Sequence, residues 1–505
     1  MRVLMLSTDM KILNPGSSVG ERMASYGERV DSLEIIVFSP PGYSSQDISP
    51  KVKAVPTNSK WRILALIDGF IVGTKFALLA KRLRAKALIT SQDGFTHLLG
   101  LALSNLYGLR LEVQVHTDIF SKYFRNQSWA TFLQYLSYQL AILLSNSVRV
   151  VSKRLRENIL RRYKHKHGKV FLLPVALDPN IFKNAEPWPL RARYGKFQRV
   201  ILCASRLTKE KNLELAVSTL AKVREKYPDT GLVIVGEGSE RESLTSLVAT
   251  LGLGDWVVFL PWLSSKELAG VYKVADVFLL TSNFEGYGLT LVEAAISGVP
   301  IVTTDVGLVG SLVNKHNALI AEVGDANKLA KHIMFLFQNP QAGLLMRDRL
   351  IESTREYPSV EAQTTSIVNL WEMASATPPK GLPLLIRYLI SGGSSAFVAL
   401  VSLTFFVEVI GLWYIFGSIL AFLVGFLVSF LLQKHWTFED KAKQVRKQML
   451  TYLLISVTNL GINTLLMYIF VDLLGLWYIL SWVIAGALIA ISSLFVYRKY
   501  VFLST

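Results

Sequence analysis

Val277-Phe278-Leu279-Leu280-Thr281-Ser282-Asn283-Phe284-Glu285-Gly286-Tyr287-Gly288-Leu289-Thr290-Leu291-Val292-Glu293-Ala294-Ala295, followed by Gly298-Val299-Pro300, is the stretch that decides the fold. Four consecutive apolar residues read as a buried strand, and Glu285 falls where that strand ends. Gly286 and Gly288 permit close backbone approach, and a helix is expected from about Leu289. Its first turn would aim free N–H groups and a positive dipole end at an anion. Glu293 then lies about one turn inside the helix. Two carboxylates seven residues apart are common by chance, but this setting would let both accept hydroxyl hydrogen bonds on either side of a bound diphosphate.

Working outward, short strand-like runs alternate with helix-length segments. The first block holds runs at Val3–Leu6, Leu33–Phe38, Ala87–Thr90, Leu111–Val115, Val148–Val151 and Val170–Leu173. The second holds Arg199–Leu202, Gly231–Val235, Trp256–Leu260, Val277–Leu280 and Pro300–Val302. This alternation predicts parallel, doubly wound α/β sheets, with a ligand in the cleft at the carboxyl ends of the strands. We place the domains at 1–188 and 189–373, with a final helix expected to cross back, a linker at 374–383, and a membrane domain at 384–505.

The composition requires that last division. Hydrophobic residues make up 51% and charged residues 18% of the 505, and the apolar excess is concentrated after residue 383. Four apolar segments, at about 388–408, 413–433, 449–471 and 477–496, are each long enough to span a hydrocarbon core. Lys434, Lys441, Lys443, Arg446 and Lys447 fall between the second and third segments, and Arg498 and Lys499 follow the fourth. The connections near Gly411 and Gly475 carry no Lys or Arg, so the positive-inside rule puts both termini and the enzyme half in the cytosol. The opening Met1–Ser7 is too short for a signal-peptide core and reads as a strand. Trp61–Lys86 is apolar but interrupted by Asp68 and Lys75, and is not taken as a further span.

The membrane half repeats itself at an offset of 64 residues. Gly411-Leu412-Trp413-Tyr414-Ile415 recurs as Gly475-Leu476-Trp477-Tyr478-Ile479, and Lys434-His435-Trp436-Thr437-Phe438 as Arg498-Lys499-Tyr500-Val501-Phe502. This implies two tandem helical hairpins, each closed by a basic-aromatic tail where rings sit among headgroups and cations meet lipid phosphates. The half resembles the GtrA-like family, which implies handling of polyprenyl-phosphate-linked sugars. Asn459 and Asn463 are polar residues within a span. Interhelical hydrogen bonding and a substrate path are both open for them. Lys434, Trp436 and Arg498 are the interface candidates.

The second soluble block resembles the family 4 glycosyltransferases of the retaining GT-B type. The resemblance rests on Glu285-Gly286-Tyr287-Gly288-Leu289 with Glu293-Ala294, on Ser205-Arg206-Leu207 with Lys209-Glu210-Lys211-Asn212-Leu213, and on Val235-Gly236-Glu237-Gly238. It implies that Arg206 and Lys211 neutralise a donor diphosphate, that Glu293 binds the donor ribose, and that Glu285 binds sugar hydroxyls near the anomeric carbon. Gly286, Gly288, Leu289 and Thr290 would offer backbone to the donor, and Trp262 and Leu263 would meet the base. His116, with Asp118 nearby, stands at a strand end where the family has a histidine facing the sugar. Gly16 and Ser17 replace the family's paired glycines in the loop after the first strand and could still offer N–H groups. The implied donor is a UDP- or GDP-sugar, with no metal and no cofactor.

The net charge of +17 calls for an anionic partner, a nucleic acid or an acidic membrane. The attached membrane domain favours anionic lipid and a lipid-linked acceptor over nucleic acid. The basic run from Arg149 to Lys169 and the cluster after Trp61 read as the docking surface. Homo-oligomerisation, if it occurs, is expected through the membrane domain. The single cysteine, Cys203, reads as a buried core residue. The membrane half as anchor or translocator, and the whole as a non-catalytic sugar binder, remain the competing readings.

Overall fold

The computed structural model describes residues 1–189, 195–376, 384–440, 442 and 444–502. The chain divides into two compact units, Met1–Lys380 and Gly381–Thr505.

The first unit contains two sheets. The strands are β1 Arg2–Ser7, β2 Ser32–Val37, β3 Gln46–Ser49, β4 Val52–Pro56, β5 Ala87–Ser91, β6 Arg110–Val115, β7 Ser147–Val150 and β8 Val170–Leu172, then β9 Arg199–Ala204, β10 Thr230–Val235, β11 Val257–Leu260, β12 Val277–Leu280, β13 Ile301–Thr304 and β14 Leu319–Ala321. The eight-stranded sheet has the order β3-β4-β2-β1-β5-β6-β7-β8 and the six-stranded sheet β11-β10-β9-β12-β13-β14. Every pairing is parallel except β3 with β4. Parallel strands covered on both faces need apolar side chains on both, which is why they read as runs rather than alternations. β3, β4 and β14 escape that reading: they are short, and β3 and β4 carry Asp47 and Lys53.

The helices of this unit are α1 Ser18–Glu28, α2 Arg62–Arg82, α3 Gly94–Tyr107, α4 Lys122–Arg125, α5 Trp129–Leu144, α6 Lys153–Arg162, α7 Pro179–Lys183, α8 Leu213–Arg224, α9 Arg241–Thr250, α10 Ser265–Val274, α11 Leu289–Ser297, α12 Ala326–Gln338, α13 Pro340–Ser353 and α14 Val360–Ala376. The chain order reverses direction between β1 and β5 in one sheet and between β9 and β12 in the other, and such switch points open ligand crevices. α14 packs back on the first sheet, where Ile367, Val368, Trp371 and Ala374 join the core of β1 and β2. Of the expected linker 374–383, residues 374–376 complete α14 and 377–383 lie outside the described residues.

The second unit holds α15 Leu384–Thr404, α16 Tyr414–Leu432, α17 Val445–Tyr468 and α18 Tyr478–Tyr500. Among the described residues three helical segments are long and apolar enough to cross a membrane: Arg387–Val409, Tyr414–Thr437 and Val445–Leu473. α18 has 23 residues, and the side chains of 479, 482 and 483 lie outside the description. The 64-residue repeat is visible in the backbone. π-helical turns end the two outgoing helices at Phe405–Val409 and Ile469–Leu473, and Gly411 and Gly475 both take positive φ just beyond. Equivalent rings meet at the other end, with Phe438 stacked on Phe502 at 4.9 Å.

Candidate active site

The site assembles at the carboxyl ends of β6, β9 and β12. After β12 the chain runs through Thr281–Gly288 before α11 begins at Leu289. Gly288 takes φ 87° as the N-cap residue, a conformation that favours glycine. Leu291 N–H already donates back to the Gly288 carbonyl. Gly286 is needed for a different reason: a Cβ there would overlap the His116 carbonyl and stand 2.8 Å from the Thr117 nitrogen. This glycine therefore lets the β12 loop lie directly on the end of β6, and so brings His116 and Glu285 into one cleft. Phe124 and Phe284 make an edge-to-face contact at 5.6 Å beside it.

Glu285 is nearly enclosed and accepts hydrogen bonds from Lys211 Nζ at 2.6 Å and Ser282 Oγ at 2.8 Å. Arg206, largely exposed, reaches Glu210 Oε1 at 3.1 Å, while the Glu210 carbonyl accepts from the Asn283 amide. Positive φ at Gly236 and Gly238 lets the Val235–Gly238 turn lie against the Ser205 and Leu207 carbonyls, so the three quoted motifs share one wall. Glu293 is half-buried, and its Oε2 accepts from the Tyr272 hydroxyl at 3.0 Å. Burial pushes its carboxyl up to about 7, with the Tyr272 hydrogen bond pulling the other way. Trp262 stays exposed on the rim with Lys11 Nζ 5.3 Å from its ring centre, and Leu263 beside it is half-buried.

His116 is held by a partner the motif reading missed. Its Nε2 lies 2.9 Å from Gln114 Oε1, which also accepts from Arg149. An amide oxygen only accepts, so His116 carries its proton on Nε2 and turns Nδ1 out as an acceptor. Burial, with the charges of Arg149 and Arg22, lowers its pKa to about 3, so the ring is neutral. Glu112, Gln114 and His116 alternate along β6 on one face. Glu112 is fully buried and accepts from the Trp371 ring nitrogen at 2.7 Å. Polar residues at every second position from Arg110 to His116, alternating with apolar ones, were the available signal.

Other expected residues are placed differently. The Ser17 hydroxyl caps α1 and donates to Lys11, and its amide donates to the Asn14 carbonyl. Ser17 is thus committed within the loop rather than offering its N–H, while Gly16 takes φ 72° with open space around it. Asp118 is pushed above the ordinary carboxylate range by burial. Of the 149–169 run, Lys153, Arg156, Arg161, Arg162, Lys164 and Lys169 are exposed, while three cations are otherwise engaged. Arg149 lies against the sheet, Lys166 is enclosed with Ser145, and Arg154 pairs with Asp305 across the cleft. The Arg154–Asp305 pair lines a cavity of about 540 Å³ that also includes Asp118, Ser121, Lys122, Arg161 and Asn283 in its wall.

In the second unit Asn459 donates to Ser493 Oγ at 2.9 Å, and Asn463 is half-buried on the same helix. Lys434 does not face lipid phosphates. It is enclosed, donating to Gln448 Oε1 at 2.6 Å and the Ala442 carbonyl at 2.8 Å, with Asp440 at 3.8 Å. The Trp436 carbonyl accepts from Arg387, its ring nitrogen has no partner among the described residues, and Arg498 is exposed.

Paired doubly wound sheets with a cation-lined cleft define a GT-B-like architecture. The chain covers 99% of a sucrose-phosphate synthase structure from Thermosynechococcus elongatus over 74% of its own length, with a TM-score of 0.62 at 19% identity, a likeness of fold alone. Residues 187–357 match the family described as Glycosyl transferases group 1, and residues 387–502 match GtrA/DPMS, transmembrane domain. The chain therefore carries a group 1 glycosyltransferase domain joined to a GtrA/DPMS transmembrane domain. Mannosylfructose-phosphate synthase of Agrobacterium fabrum is 27% identical over 46% of this chain and 54% of its own length. A GDP-mannose-dependent alpha-(1-6)-phosphatidylinositol monomannoside mannosyltransferase of Mycolicibacterium smegmatis is 36% identical over 22% of this chain and 32% of its own length. The chain thus spans about half of the first relative and a third of the second.

Proposed function

We propose that this protein is a retaining, metal-independent glycosyltransferase that moves a sugar from a UDP- or GDP-sugar to a lipid-linked acceptor at the cytosolic membrane face. The observation that carries the reading is the meeting of Glu285, Lys211 and His116 in one cleft beside the start of α11. In the reaction the acceptor oxygen bonds to the anomeric carbon, and the bond from that carbon to the diphosphate breaks. The diphosphate keeps the bonding electron pair, so the barrier falls where that charge is met. Lys211, Arg206 and the amides of Leu289 and Thr290 are the groups that would meet it. Glu285 and neutral His116 Nδ1 would accept from sugar hydroxyls, and Glu293 from the ribose.

The membrane domain is read as four spans with both termini cytosolic, from the cation distribution and the helix lengths. Transport of the glycolipid is a second reading, favoured by the polar pair Asn459–Ser493 inside the second hairpin. The test of the main reading is incubation with nucleotide sugars and membrane lipid extract, followed by mass spectrometry of the lipid fraction. Wild-type protein should add a sugar to a lipid, and Lys211→Ala and Glu285→Ala should not. Equal product from all three would refute the site assignment.

A further inference from the structure

α2, α3 and α5 lie side by side on the first sheet, with α3 packed against both neighbours. Their inner faces supply core residues such as Phe76, Ala77, Leu103 and Ile142. Their outer faces are apolar as well. On α2, Leu64, Ile67, Ile71 and Leu78 are exposed at helical spacing, and on α5 so are Trp129, Leu133, Leu136 and Leu140. A helix that faces water is polar on that side, and contiguous apolar surface of this kind marks an interaction site.

The exposed charges at the ends of this face are cationic, and the two acids beside it, Asp68 and the α3 cap Asp93, each accept from a hydroxyl. α3 and α5 contain no charged residue, and Asp68 is the only acid between Lys51 and Gln92. Asp68 accepts from Ser59 Oγ at 2.6 Å. No acid occurs between Ile119 and Arg156. Exposed cations stand at both ends of the face. Lys60 and Lys122 lie toward the cleft, and Lys81, Arg82, Arg84 and Lys86 toward the opposite edge. A two-fold dimer through this face would set cations against cations, with two acids, Asp68 and Asp93, both already hydrogen-bonded, to offset them. An anionic lipid surface fits the same pattern, since acyl chains take the apolar stripe and headgroup phosphates take the rim. A bilayer is within reach because the same chain carries helices long and apolar enough to cross one.

We infer that the α2–α3–α5 face docks on an anionic bilayer and inserts its outer apolar stripe into the interface. Lys122 and Tyr123, which line the cleft cavity, belong to α4, the short helix that precedes α5 and packs against it. The docked face thus lies beside the cleft mouth, where an acceptor held in the membrane would enter. The inference concerns the membrane partner alone and stands apart from the transfer reaction.

The test uses the full chain in proteoliposomes. Cys203 is buried, so an introduced cysteine is the reactive one. Ile71→Cys and Leu136→Cys each carry an environment-sensitive fluorophore, and Lys331→Cys on α12 serves as control. In phosphatidylglycerol vesicles the labels at 71 and 136 should shift to the blue and lose intensity to shallow spin-labelled lipid, more than in phosphatidylcholine, while 331 stays water-like. Labels at 71 and 136 that behave like 331 would overturn the inference. So would quenching-free labels that instead show a short distance between copies, which would assign the face to a second chain. No nucleotide sugar is present, so this outcome and that of the transfer assay are independent.

Discussion

Replacing Gly286 with alanine isolates the contact that closes the cleft. Gly286 does not occupy the left-handed region, so alanine brings no backbone strain of its own. The added methyl would overlap the His116 carbonyl and stand 2.8 Å from the Thr117 nitrogen, where ordinary contact begins at 3.4 Å. Both obstacles are backbone, so no side chain can rotate away. The β12 loop and the end of β6 must part by more than about 1 Å, and a displacement of about 1 Å already lowers a rate by about 10²-fold. That is about 2.7 kcal/mol of lost transition-state stabilisation. Glu293, Lys211 and the start of α11 all belong to the second sheet's side and keep their mutual geometry. The expected result is a kcat for sugar transfer down about 100-fold, with nucleotide diphosphate affinity by calorimetry changed by less than about threefold. Wild-type turnover in Gly286→Ala would show that His116 need not be held against Glu285, and the site reasoning would fail.

Glu293→Gln tests the half-buried carboxylate. The folded pKa of about 7 lies above the ordinary 4.5, so its stabilising effect is complete below pH 4.5 and is lost as pH rises through 7. Wild-type protein should therefore lose about 3 kcal/mol between pH 4.5 and pH 8 from this group. The glutamine variant should lack that component in thermal melts, and it should bind nucleotide about 10-fold or more weakly at pH 8. Lys211→Ala leaves Glu285 nearly enclosed with Ser282 as its one remaining hydrogen-bond partner among the described residues, and transfer should fall by about 10² to 10³ while the fold persists by circular dichroism. Gln114→Leu removes the acceptor that fixes the His116 tautomer. Nitrogen-15 shifts of His116 should then show a tautomer mixture, and kcat should fall about 10-fold. An unchanged His116 spectrum would count against the assignment.

The paired sheets were legible because buried parallel strands must be apolar on both faces, and that leaves runs in the sequence. β3, β4 and β14 were not, since edge strands accept polar residues and their pairing depends on distant neighbours. In the site, Glu285, Gly286 and Glu293 could be placed because they share one strand–loop–helix unit. Gln114 and Tyr272 could not, because their roles exist only once β6 meets Arg149 and α10 meets α11. In the basic run at 149–169 the burial of individual cations is hidden for the same reason. Composition counts charges, whereas the fold sends Arg149 and Lys166 inward and leaves only part of the run for solvent.

The repeat in the membrane domain separates shared structure from what one hairpin alone carries. Phe438 and Phe502 are repeat mates and stack on each other, and the mates Tyr388 and Tyr452 both contact Tyr497. That end is built from equivalent residues, so its closure is a property of the duplicated unit. Farther along the helices the equivalence breaks. Ser395 and Ala399 in the first hairpin correspond to Asn459 and Asn463 in the second. Gly425 packs against Ala399, which closes the first hairpin, and its counterpart is Ile489. The small-residue seam holds α15 and α16 together by close contact, whereas α17 and α18 meet through Asn459 and Ser493. An amide in the interior of an apolar helix persists only where it bonds or serves a passing polar group. The asymmetry between two otherwise matched hairpins is therefore one of packing: close contact of small residues joins α15 to α16, and an amide bonded to a hydroxyl joins α17 to α18.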